Sequence, residues 1–264
     1  MEGLLDLGAI NLQKFMMIFA RVSTMLFLFP IFGSNQIPAY YKAGLSGMLA
    51  LVLVLALPPP LAEVMPWTTF VIQFFIQVGV GLIIGYTAFV VFMAILLAGQ
   101  IVDIEMGFAM ANVIDPVSNI QQSLIGQFQN LLAFLFFLAI DGHHRLILLL
   151  TQSFDLVPMG RMISLNERFS ALLIDMFGNI FSLALQLAFP VIAAMFLTDL
   201  ILGLLSRLVP HMNVFVVGFP IKLALGMWVL IFLMGGLDYI YPDMFGRTFL
   251  ELKWLMRFMG RGAA

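Results

Sequence analysis

The length of its apolar runs limits this chain more than any other feature. Hydrophobic text extends from about Ile10 to Phe29, Ala43 to Leu57, Thr68 to Ala98, Ser123 to Ile140, Leu146 to Val157, Ala171 to Leu208 and Ile221 to Ile240. Helix rises about 1.5 Å per residue, so crossing a hydrocarbon core of ~30 Å takes about 20 residues. No soluble domain has an interior able to hide this much apolar surface: 62% of the residues are hydrophobic, 10% are charged and the mean hydropathy is +1.09, against roughly 25% charged in soluble proteins. The expectation is an all-α polytopic membrane protein with six or seven hydrophobic helices, some of them broken. The run from Thr68 is too long for one untilted crossing, so it must tilt, break or protrude.

The punctuation between the runs is mostly proline and glycine. Pro30, the triplet Pro58, Pro59 and Pro60, and Pro158 each close a run, because proline lacks the N–H that would continue a helix and its ring clashes with the preceding turn. Asp141-Gly142 breaks the chain after Ile140, and the segment Arg161 to Arg168 reads as an interfacial linker. From Gly99 to Gln122 the text changes: Gln100, Asp103, Glu105, Asn112, Asp115, Asn119 and Gln121 interrupt it without a single Lys or Arg. The tail after Tyr241 carries Arg247, Lys253, Arg257 and Arg261, and the excess of positive charge in cytoplasmic segments places that tail in the cytoplasm.

Several function classes lack their parts. A net charge of −2 with scattered basic residues gives no footprint for nucleic acid. The absence of cysteine removes disulfides and thiolate metal sites. Glu2 and Asp6 stand where a secretion signal would carry basic residues, so the N-terminus is expected to remain. There is no phosphate-binding lysine loop, no HExxH and no GxSxG, so no catalytic residue, cofactor or enzyme activity is expected. His143-His144 beside Asp141 is the nearest approach to a metal cluster. Adjacent side chains diverge by about 100° on a helix, so both imidazoles could reach one ion only at an irregular turn, and a polar turn without metal is the expectation.

Two stripes face protein or water, not lipid. Thr69, Gln73, Gln77, Gly81 and Gly85 recur every four residues, which on a helix makes one slowly winding face of amides and small residues. Gly81 and Gly85 permit close approach of another helix or subunit. Asp175, Asn179, Ser182 and Gln186 share a second face, which should meet a partner subunit, another helix or a wet lumen, because a carboxylate at the bilayer centre costs about 2.5–3.5 kcal/mol on insertion scales. Arg21, Asp199 and Arg207 are expected to be buried charges that need partners. Asp199 and Arg207, eight residues apart on one helix, are too distant to pair directly.

A family resemblance runs through nearly the whole chain. It is carried by Arg21 followed by Phe29-Pro30-Ile31-Phe32-Gly33, Ile37-Pro38 and Lys42. Met106-Gly107-Phe108, Asp115-Pro116 and Asp141-Gly142-His143 continue it. Pro190, Leu202-Gly203-Leu204-Leu205, Arg207, Pro210 and Asn213-Val214-Phe215-Val216-Val217-Gly218-Phe219-Pro220 complete it. In this order the motifs resemble the FliR/SctT family of type III export-gate proteins, and His211 stands where that family commonly has Gln. The resemblance implies a subunit of the bacterial inner membrane and flagellar basal body, made of a FliP-like part over about 1–208 and a FliQ-like part over about 209–264. Its implied partners are FliP and FliQ in a hetero-oligomeric gate, then FlhB and FlhA, membrane lipid and unfolded export substrates. It also implies that the region from Met106 to Gln122 plugs the closed pore, with Met106, Gly107, Phe108, Met110 and Val113 as its sealing residues. The competing class is a self-contained small-molecule or ion transporter using Arg21, Asp175 and Asp199 as coupling charges. A more remote one is an intramembrane metalloenzyme built on His143, His144 and Asp141.

Overall fold

The structure is a computed structural model that describes residues 2–30, 37–57, 64–108, 123–161, 163, 167–211 and 213–261. Among these, eight helices follow one another: α1 Glu2–Leu28, α2 Ala39–Ala56, α3 Trp67–Met106, α4 Leu124–Ala139, α5 Gly142–Leu156, α6 Glu167–Leu208, α7 Val214–Met234 and α8 Leu237–Arg261. No strand occurs among the described residues. The all-α expectation is met, and the seven apolar runs correspond to α1 through α7. Four helices (α2, α3, α6 and α7) are long and apolar enough to cross a membrane, or up to five if the broken pair α4 and α5 makes one span.

Several helices depart from the sequence-based boundaries, α1 by starting at Glu2 and α7 by starting at Val214. Helix α3 continues past Ala98 to Met106 and takes in Gly99, Gln100, Asp103 and Glu105. Two contacts explain the extension. Gly99 lies against Gly126 so closely that a Cβ on Gly99 would sit 2.2 Å from the Gly126 Cα, and Asp103 Oδ1 accepts the N–H of Ile125 at 3.3 Å in the first turn of α4. Helix α7 stops at Met234, earlier than Ile240, because Gly235 and Gly236 form a turn in which the Gly236 N–H bonds to Leu233 O at 2.9 Å. Two successive glycines disfavour helix by about 1 kcal/mol each relative to alanine. The tail then re-forms as α8, whose buried residues Tyr241, Met244, Phe245, Thr248, Leu252, Leu255, Met256 and Met259 repeat with helical spacing. The segment expected to be a basic tail is therefore an amphipathic helix.

The chain forms two compact units from discontinuous segments: Met1–Val90, Asp141–Met176 and Phe245–Ala264 make one, Val91–Ile140 and Phe177–Met244 the other. In the first unit α1 is the central element, with Met17, Ile18, Ala20, Arg21, Val22 and Met25 all buried. The glycine stripe of α3 packs on it. A Cβ on Gly81 would lie 2.0 Å from Thr24 Oγ1 and 2.3 Å from the Arg21 carbonyl oxygen, and one on Gly85 would lie 2.7 Å from Met25 O. The small-residue pair read from sequence is thus a helix seam within the chain. In the second unit Ala98, Val102 and Met106 of α3, Ile125 of α4, and Ala184, Ala188, Val191 and Met195 of α6 form the core. Pro190 lies inside α6 next to this cluster without ending the helix.

Gly81→Ala must separate α1 from α3, and overpacking of this kind costs about 1–3 kcal/mol. Gly79→Ala meets nothing within 4 Å and should stabilise slightly through helix propensity. Thermal unfolding of the two variants in detergent should move in opposite directions, and equal midpoints would remove the seam from the account.

Candidate functional site

Arg21 is wholly buried, and its guanidinium is surrounded by neutral acceptors. Its Nε donates to Gln77 Oε1 at 2.8 Å, and a second nitrogen, Nη2, shares the same oxygen. Nη1 donates to Ser153 Oγ at 2.9 Å and Nη2 to the Val157 carbonyl at 2.9 Å. The Phe154 ring lies 4.1 Å from the guanidinium carbon. Ser153, Phe154 and Val157 are the last turn and C-cap of α5. A cation there meets the negative end of the helix dipole and carbonyls that the helix leaves unpaired, which is how a buried arginine is satisfied without a carboxylate. Gln77 is therefore one of the acceptors that α3 supplies from its amide stripe. Gln73, a turn earlier, takes the Gly160 N–H on Oε1 and donates Nε2 to Arg161 O, each at 3.2 Å. It ties down the turn where Gly160 adopts φ 87°.

Lys14, two turns before Arg21 and also buried, does for α2 what Arg21 does for α5. Its Nζ donates to Val54 O and Leu57 O, both at 2.7 Å, at the C-cap of α2. Sequence reasoning passed over Lys14. Its seven-residue spacing from Arg21 was the available signal, since it puts both cations on one face of α1.

At the other end of α3, the segment proposed from sequence as a plug begins with a tight stop. Gly107 has φ 88°, its N–H bonds to Ile104 O at 3.1 Å, and the Phe108 N–H bonds back to Asp103 O at 2.9 Å. These two bonds with a left-handed glycine are a Schellman C-cap. A Cβ on Gly107 would lie 3.2 Å from the Phe219 ring, and one on Gly226 would lie 2.6 Å from Met106 side-chain atoms. Met106 is fully buried in the core cluster, and Phe108 packs against it. Met106 is thus helical and buried within the chain, whereas the sequence reading expected it among the sealing residues of the plug. Met110 and Val113 lie outside the described residues.

The remaining sequence-predicted residues divide by exposure. Asp175, Ser182 and Gln186 of α6 are exposed and Asn179 is half-buried, with a Gln186 Nε2 to Ser182 Oγ bond of 3.2 Å. The buried face of α6 runs instead through Met176, Ala184, Ala188, Val191 and Met195, so the polar stripe is turned away from this chain's own core. Asp199 and Arg207 are not the buried charges expected, because both lie on exposed parts of α6. Asp199 finds its partner on α7, where Lys222 Nζ approaches Oδ1 to 2.6 Å and Oδ2 to 2.8 Å.

Apolar helices of spanning length with polar seams buried between them define an integral membrane protein. The model of bacterial export proteins, family 1, matches residues 12–248. The flagellar biosynthetic protein FliR of Bacillus subtilis (strain 168) is 33% identical over 98% of this chain and 99% of its own length. FliR of Escherichia coli (strain K12) is 32% identical over 81% of each chain, and that of Pectobacterium carotovorum 32% over 90% of each. The chain belongs to the FliR family of bacterial export proteins.

Replacing Arg21 with Met leaves Gln77 Oε1 and Val157 O unpaired, while Ser153 Oγ keeps its bond to Leu150 O, at roughly 1–3 kcal/mol for each buried acceptor left unpaired. Arg21→Lys should recover only part of this, because an ammonium cannot reproduce the fork that reaches two helices. Unfolding midpoints in detergent should rank wild type above Lys above Met, and a Lys variant equal to wild type would show that charge alone suffices.

Proposed function

We propose that this chain is a core subunit of a flagellar type III protein-export gate, assembling with FliP and FliQ subunits and approached by FlhB and FlhA. The observation that carries the reading is the near full-length likeness to FliR proteins, which covers the first described helices as well as the last. Physical features of the chain support it. Helix α7 exposes Trp228 and Phe232, and the Asp175 to Gln186 face is one that lipid would not accept. Partner helices accommodate both kinds of surface.

In this reading, residues of about 1–208 form the FliP-like part and those of about 209–264 the FliQ-like part, with the boundary in the turn between α6 and α7. The subunit sits in the bacterial inner membrane within the flagellar basal body. Its basic C-terminal helix, with Arg247, Lys253, Arg257 and Arg261, faces the cytoplasm. Unfolded flagellar proteins pass through the assembled channel, and this chain performs no covalent chemistry. The segment that follows Gly107 closes the pore by dewetting, held at its root by Met106 against Gly226 and by Phe108 against the core. The transporter alternative needs buried coupling charges, whereas Asp175 and Asp199 are exposed in this chain.

Loss of the chain should abolish secretion of flagellar proteins into the medium. Deleting Gly107 to Asn112 should instead leave the gate assembled and make the membrane leaky to small ions. Continued secretion without the chain contradicts the gate, and unchanged permeability in an assembled deletion variant removes the plug.

A further inference from the structure

Asp141, His143 and His144 lie where α4 ends and α5 begins, and each offers one ligand atom, all within 4.8 Å of one another. Both histidines stand in the first turn of α5, where their rings nonetheless come together, and the irregular residue is Asp141 just before that turn. Asp141 takes φ 56° and ψ 32°, and among the described residues no other non-glycine has a positive φ. The left-handed conformation is uncommon for any residue with a side chain.

Asp141 is also the N-cap of α5, a position where aspartate normally accepts a backbone N–H, yet its side chain makes no such bond. Its Oδ1 lies instead 3.3 Å from His144 Nδ1. The two imidazole rings approach to 4.3 Å between centroids instead of diverging. His143 Nδ1 is shielded from solvent and has no hydrogen-bond partner, which leaves a ligand atom unspent. Asp141 and His144 are open to solvent, so an ion has a path in.

We propose that Asp141, His143 and His144 bind a borderline divalent cation of the zinc class. Ligand bonds of about 2.0–2.1 Å in a tetrahedral shell place neighbouring donor atoms about 3.3–3.4 Å apart, which the Asp141–His144 separation of 3.3 Å already matches. Two imidazoles with one carboxylate suit zinc, nickel or copper better than magnesium or calcium, which take oxygen ligands. Water fills the fourth position. Such an ion pins the left-handed turn and the first turn of α5 together. The inference stands independently of the export reading, because its readout is binding by the chain itself.

The test uses the full-length chain carrying a tag without histidine, stripped with a chelator in detergent. It is titrated with Zn²⁺ by calorimetry and with Co²⁺ by visible absorption. One equivalent should bind, and cobalt should give the d–d bands of a tetrahedral or five-coordinate site. Asp141→Asn, which tolerates the left-handed backbone, and His144→Gln should each weaken binding about tenfold or more. His211→Gln, which replaces the remaining histidine of the three, should leave it unchanged. Absence of saturable binding, wild-type affinity in the Asp141 and His144 variants, or loss with His211→Gln would each overturn the site.

Discussion

A cation held in the interior by helix ends is the interaction on which the first unit depends. Arg21 reaches the C-terminus of α5 and the amide of Gln77 on α3 at once, and Lys14 reaches the C-terminus of α2. Both extend from one face of α1, so a single helix gathers three others through charges that, among the described residues, are met by neutral acceptors. The physical reason this works is that the last carbonyls of a helix have no partner within it and carry partial negative charge. Burying those carbonyls and burying the cation solve each other's desolvation. Removing either side leaves the other exposed to the full penalty, which makes the arrangement specific as well as stabilising.

Close backbone approach is the second constraint. Between apolar helices in lipid there is little hydrophobic driving force, so association rests on dispersion and polar contacts at short range. Gly81 and Gly85 bring α3 against α1, Gly99 meets Gly126, and Gly260 leaves room for the Leu156 carbonyl, where a Cβ would lie 1.7 Å away. The same seams position the polar groups. With the Gly81 seam opened, Gln77, one turn before it, would no longer reach the guanidinium.

Much of this was legible in the sequence because periodicity survives burial. The Gln73 to Gly85 stripe, the need of Arg21 for partners, and the break at Asp141-Gly142 all follow from residue type and spacing. What was not legible depends on atoms far apart in the chain. The acceptors of Arg21 lie 56 and 132–136 residues away. The continuation of α3 through Asp103 depends on Gly126 and Ile125, and the left-handed Asp141 is a conformation that aspartate seldom takes. Helix α8 is a different case. Its buried residues Tyr241, Met244, Phe245, Thr248 and Leu252 have a clear helical period, but the density of basic residues drew the reading toward a tail. Asp199 and Arg207 were expected to be buried on the assumption that every charge within an apolar run turns inward. In this chain both are exposed, and Asp199 pairs with Lys222 of α7.

That outward polarity makes the central claim directly measurable: the chain is one part of a larger gate. The tagged chain, co-expressed with its neighbouring FliP-like and FliQ-like proteins and purified in detergent, should appear in native mass spectrometry as a discrete hetero-oligomer containing a single copy of it. A stable, monodisperse particle of this chain alone under the same conditions would contradict the account.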